Sequence, residues 1–138
     1  MKGKSVIYTA ESRALAVAEI LVHLDASAPL SRYVVVEVQI DEALVQEIDL
    51  GMLPTNWRAE PAPKRLKAIG DEWIDAGTSP VLRVPSAVIQ GEFNYLLNPA
   101  HPDFGKLKFS NPESFRIDKR LRQRSLAYRA SLRLNTRS

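Results

Sequence analysis

The chain has 138 residues, 45% of them apolar, which is enough for one domain with its own core. With no cysteine and only two histidines, disulfide scaffolds, thiol catalysis and a cysteine- or histidine-rich metal site are excluded, and with neither a membrane-length apolar run nor a signal-peptide pattern the composition suits a cytoplasmic protein. The net charge of +3 is unevenly placed: Lys119 to Ser138 holds seven basic and no acidic residues, leaving 12 basic against 16 acidic in residues 1–118, so residues 122–138 read as a basic tail on an acidic body that gives no electrostatic reason to expect nucleic acid.

Taken in chain order, Ser5 to Thr9 predicts a strand. Glu11 to Leu24 predicts the strongest helix, rich in alanine and leucine, with Thr9 or Ser12 as its cap. Leu15, Ala18 and Val22 share one stripe of that helix, and Glu19 falls inside it. A carboxylate on an apolar face is costly unless something pairs with it. Arg32 to Ile40 predicts a strand with Val34, Val36, Val38 and Ile40 on one face. Asp41 to Leu50 fits either a short helix or a strand, and Gly51 to Pro54 a turn. Lys64 to Ala76 predicts a second helix, with Leu66, Ile69 and Trp73 at helical spacing and Gly77 at its C-terminal end.

The stretch from Val81 to Phe104 is the most informative. Val81, Leu82 and Val84 open it as a strand, which Pro85 ends, and Ser86 follows at once. Glu92, Phe93, Asn94, Tyr95, Asn98, His101, Asp103 and Phe104 then crowd a segment stiffened by Pro99 and Pro102. Such a mixture of rings, amides and carboxylates predicts a rigid connection with a binding surface, or else a packed loop whose amides cap turns. Lys106 to Ser110 and Ser114 to Asp118 predict short closing strands. Strands outnumber helices, so the expected class is α+β with a mixed or antiparallel sheet and a few helices.

No phosphate loop, nucleophile elbow or HExxH motif is present. A Ser86–His101 dyad lacks an evident oxyanion loop, and a metal site from His101, Asp103 and Asp118 is weaker still. Glu19, Tyr8, Ser86, Asn94 and Asn98 together would suit a sugar or nucleotide pocket. A carboxylate beside ribose stabilises an oxocarbenium-like transition state.

The elements VIYTAESRALAVAEILVHL (Val6 to Leu24), LPTNW (Leu53 to Trp57), GDEWIDAG (Gly70 to Gly77), VPSAVIQGEFNYLLNPAHPDF (Val84 to Phe104) and FRIDKRL (Phe115 to Leu121) stand in an order that resembles the RES-domain family, toxins of bacterial toxin–antitoxin systems. The resemblance implies a RES domain over residues 1–121, N-terminally incomplete because the family's arginine, normally upstream of the tyrosine strand, has no counterpart here; Arg13 does not match it by motif. It implies a fold similar to ADP-ribosyltransferase toxins, and NAD+ as a substrate rather than a cofactor. The activity it implies is phosphorolysis or hydrolysis at the nicotinamide–ribose bond, or transfer of ADP-ribose, weakened in this chain by the missing N-terminal segment. Glu19, Ser86 and Tyr8 then correspond to the catalytic residues, with Asn94, His101 and Tyr8 shaping the substrate pocket. The implied partner is a helix-turn-helix (Xre-type) antitoxin. The alternative is a non-catalytic antitoxin-binding module, and the sequence leaves homo-oligomerisation open.

Overall fold

A computed structural model describes residues 5–23, 29–30, 32–59 and 63–121. Met1 to Lys4, Leu24 and the basic tail at 122–138 lie outside the described residues. The architecture is α+β. Strands β1 (Ile7–Ala10), β4 (Val45–Glu47), β5 (Val81–Pro85) and β6 (Phe93–Leu97) form a four-stranded sheet in the order β1-β6-β5-β4. The β1–β6 and β6–β5 pairs are antiparallel, and β5–β4 is parallel. A parallel pair needs a long crossover, and helix α2 (Lys64–Ala76) supplies it between β4 and β5. Two small antiparallel ladders complete the domain: β2 (Tyr33–Val35) with β8 (Glu113–Phe115), and β3 (Val38–Gln39) with β7 (Lys108–Phe109). Among the described residues no helix is long and apolar enough to cross a membrane.

The period of two along the central strands divides the core. Leu82 lies opposite Leu96, and with Val84, Val6 and Ile48 they meet Trp73 and Ile74 of α2. Val81 lies opposite Leu97; both are fully buried on the other face, packed with Leu107, Val38, Ile40, Leu44 and Phe104. The Trp73 indole N–H donates to Ser79 Oγ at 3.0 Å, and that hydroxyl donates to the Val81 carbonyl at 3.0 Å, so the polar edge of the ring is satisfied inside the core.

Both expected helices form. Helix α1 spans Arg13–His23, with Ser12 rather than Thr9 as cap: its hydroxyl accepts from the Leu15 N–H at 3.1 Å. Helix α2 closes on Gly77, whose φ of 61° is the left-handed conformation glycine adopts without cost. The ambiguous segment at 41–50 holds both alternatives: a 3₁₀ turn at Glu42–Leu44, capped by Asp41, runs into β4.

Two sequence expectations are corrected. Arg32 to Ile40 is not one strand. It breaks at Val36 and Glu37, because β2 pairs with β8 while β3 pairs with β7. Val34 and Val36, expected to share a strand face with Val38 and Ile40, are 64% and 44% exposed. The segment after Ser86 is not solely a connection either. Phe93–Leu97 is an inner strand of the main sheet. Its amide hid it: Asn94 sits fully buried in the ladder, where its Nδ2 donates to the Thr9 carbonyl at 3.2 Å.

Candidate active site

Residues directly opposite one another in a ladder point to the same face of the sheet. Tyr8 is opposite Leu96, and Ala10 and Val84 are both opposite Asn94. Tyr8 and Asn94 therefore share the face that also carries Leu82 and Val84. Helix α1 follows β1 directly and contributes Glu19. The β1–α1 corner is pinned to the β5–β6 turn by three bonds. The Glu11 N–H donates to the Phe93 carbonyl at 3.2 Å, the Phe93 N–H donates to Glu11 Oε1 at 3.0 Å, and Ser12 Oγ donates to Glu92 Oε1 at 3.4 Å.

These elements frame a cleft of about 650 Å³, within the range of small-ligand sites. Tyr8, Thr9 and Ala10 form its floor, Arg13, Ala16, Glu19 and Ile20 one wall, and residues 34–38 the opposite rim. The valines that break the expected strand pattern thus line the cleft. A signal for this was present: the YVVV run is apolar on both strand faces, one more than the core needs.

Glu19 and Tyr8 interact electrostatically. Partial burial, and secondarily the Glu19 charge, push the Tyr8 phenol up to about 12, although the residue as a whole is 55% exposed. At neutral pH the phenol is protonated, as it would be even at the ordinary 10.0, and is available as a hydrogen-bond donor. Glu19 is half-buried, as its place in an apolar stripe requires, and has the partner it needs: Ser86 Oγ donates to its Oε1 at 3.3 Å.

Ser86 is fully buried and does not line the cleft. Its oxygen accepts from the N–H groups of Val88, at 3.1 Å, and Ile89, at 3.0 Å. Two donors on the oxygen polarise its remaining O–H toward Glu19. Ser86 reaches the cleft only through Glu19. Asn94, on the same sheet face as Tyr8, does not line the cleft either; it holds the strand that carries Tyr8 through the Thr9 carbonyl. Its Oδ1 is buried without a protein partner.

His101 is the residue the structure does not bring to this site. It lines a different cavity of about 580 Å³, with Ser5, Ile74, Gly77 and Asn98, which shares no residue with the first. Its Nδ1 accepts from the Asp103 N–H at 2.9 Å, capping the 3₁₀ turn Pro102–Lys106. That leaves the proton on Nε2, which donates to the Gly77 carbonyl at 3.0 Å. Both ring nitrogens are engaged by backbone groups, and His101 shapes this second cavity rather than the cleft of Tyr8 and Glu19. Three charged cleft residues carried no functional expectation: Glu11, Glu37, and Arg13, considered only for the motif it does not match.

The RES domain family matches residues 1–118. The chain is similar to Toxin Res of Yersinia enterocolitica, at 39% identity over 122 residues, covering 88% of this chain and 80% of that protein. It is similar to the Prs ADP-ribosylating toxin of a Sphingobium strain, at 36% over 123 residues, covering 86% of this chain and 76% of that protein. A Toxin Res of Photorhabdus laumondii is 35% identical over 120 residues, with 86% and 77% covered.

Proposed function

The chain belongs to the RES-domain family, and on that premise we propose that it is a toxin that cleaves NAD+ at the nicotinamide–ribose bond, passing the ADP-ribose to phosphate, water or a protein. The observation that carries this reading is the pairing of Tyr8 with Glu19 in one cleft, with Ser86 bracing the carboxylate from behind. The names of the relatives, Toxin Res and Prs ADP-ribosylating toxin, support the same class of chemistry.

The residues suit the reaction. When the glycosidic bond breaks, nicotinamide leaves with the bonding pair and positive charge develops on the ribose ring. A fixed carboxylate beside that ring stabilises the charge as it forms. Glu19 meets the requirement because Ser86 restrains its rotamer. Tyr8, kept protonated, donates to a ribose or nicotinamide oxygen and does not act as a nucleophile. Ser86 and Asn94 act as positioning residues. NAD+ is consumed as substrate in the cytoplasm, and the partner is a helix-turn-helix antitoxin. The exposed valines on the cleft rim support a protein cover there.

Nicotinamide release from NAD+ with phosphate present tests the reading. The wild-type chain should release it, and Glu19→Gln should lose release by at least about a hundredfold while keeping its circular dichroism. A wild-type chain that leaves NAD+ intact but co-purifies with a helix-turn-helix protein would instead mark a non-catalytic binding module.

A further inference from the structure

Among the described residues lining the cleft there is one cation, Arg13, against three carboxylates, Glu11, Glu19 and Glu37. Arg13 is the first residue of α1. A cation there opposes the positive end of the helix dipole, and no acidic residue stands in the first turn to offset it. Helix stability therefore does not account for it. Its Nη2 instead donates to Glu37 Oε1 at 2.7 Å, joining the helix wall to the opposite rim. The two side chains are 48% and 66% exposed, and a pair so exposed contributes little to stability.

The backbone of Glu37 is fixed on both sides of its residue. Its N–H donates to Ser110 Oγ at 2.8 Å, and its carbonyl accepts from the Ser110 N–H, also at 2.8 Å. Glu113 adds its own negative field at Arg13. The guanidinium is thus presented at the cleft mouth, engaged by a carboxylate that can be released to water at small cost.

We propose that Arg13 binds the phosphates of the substrate and that Glu37 is a built-in competitor which those phosphates displace. The proposal deepens the NAD+-cleaving reading and rests on it for the substrate's class, a dinucleotide with a diphosphate bridge. A guanidinium fork matches phosphate oxygens in a bidentate contact, and a diphosphate offers more negative charge than the one carboxylate it replaces. A ligand without phosphate gains nothing from the guanidinium and leaves the Glu37 pair in place, so the arrangement favours nucleotides over nucleosides.

Calorimetric titration of the full chain tests this, with ADP-ribose as the phosphate-bearing probe and nicotinamide riboside as the phosphate-free one. Arg13→Ala should weaken ADP-ribose binding about tenfold, with partial rescue by Arg13→Lys. Glu37→Gln should tighten it roughly threefold, with the gain absent when Arg13→Ala is added. Neither change should move nicotinamide riboside, and thermal melts should be unaltered. Unchanged ADP-ribose binding in Arg13→Ala would overturn the subsite, and unchanged or weaker binding in Glu37→Gln would overturn the competitor. Nicotinamide release, followed on the same preparations, separates the two readings. Release without any ADP-ribose binding sinks the Arg13 assignment alone, whereas loss of both sinks the proposed function with it.

Discussion

At the scale of single residues, the site depends on polar groups whose protonation and direction are set by their neighbours. Tyr8 carries a phenol pushed from the ordinary 10.0 to about 12, chiefly by burial and then by Glu19. Because the folded value lies above the unfolded one, the stabilisation of the protonated phenol is complete below pH 10 and is lost as the pH climbs through about 12. In tyrosine-labelled NMR titrations the Tyr8 ring should therefore ionise later than a free phenol, and Glu19→Gln should bring its midpoint down. Ser86 makes a second prediction. Ser86→Ala leaves the buried N–H groups of Val88 and Ile89 without their acceptor and frees Glu19. Urea unfolding should show a loss of roughly 1–3 kcal/mol, and nicotinamide release should fall in kcat more than in KM.

At the scale of elements, the β5–β6 hairpin and the loop after it divide their labour. The turn at Ser86–Glu92 faces the cleft wall. The loop beyond β6 closes back on α2, where His101 ties the 3₁₀ turn to the Gly77 carbonyl. His101→Ala should cost about 1–2 kcal/mol in denaturant unfolding and leave nicotinamide release unchanged, whereas a substrate-binding histidine would show itself in KM. Much of this level was legible beforehand. Helix α2 follows from Leu66, Ile69, Trp73 and Gly77, and α1 from its alanine- and leucine-rich stripe, because helix signals are local. Strand β6 was not legible, because Asn94 and Tyr95 break the apolar pattern of an inner strand. Only the Thr9 carbonyl, 85 residues away in sequence, makes the amide admissible there.

At the scale of the whole molecule, the sheet of order β1-β6-β5-β4 lies between two apolar clusters, one on each face, and the cleft lies beside one of them. Val81 and Leu97, opposite each other and fully buried, sit where β5 and β6 share their longest ladder. Leu97→Ala should cost roughly 2–5 kcal/mol, a large part of the 5–15 kcal/mol typical of a domain. Equilibrium unfolding should register it, together with loss of nicotinamide release near the lowered midpoint.

By itself the sequence determined the α+β class, both helices, the strand ending at Pro85 and the anomaly of Glu19 in an apolar stripe. Each of these rests on local sterics or on periodicity along one element. The quoted motifs pointed to the family, which the match over residues 1–118 shows. Tertiary structure alone decided which of those residues meet. It put Tyr8 beside Glu19, Ser86 behind the carboxylate, Asn94 buried on the sheet face of Tyr8 and His101 in another cavity. It also set Arg13 against Glu37 across the mouth. The reason is that strand pairing and register depend on contacts between distant segments, and no local pattern in either segment records them.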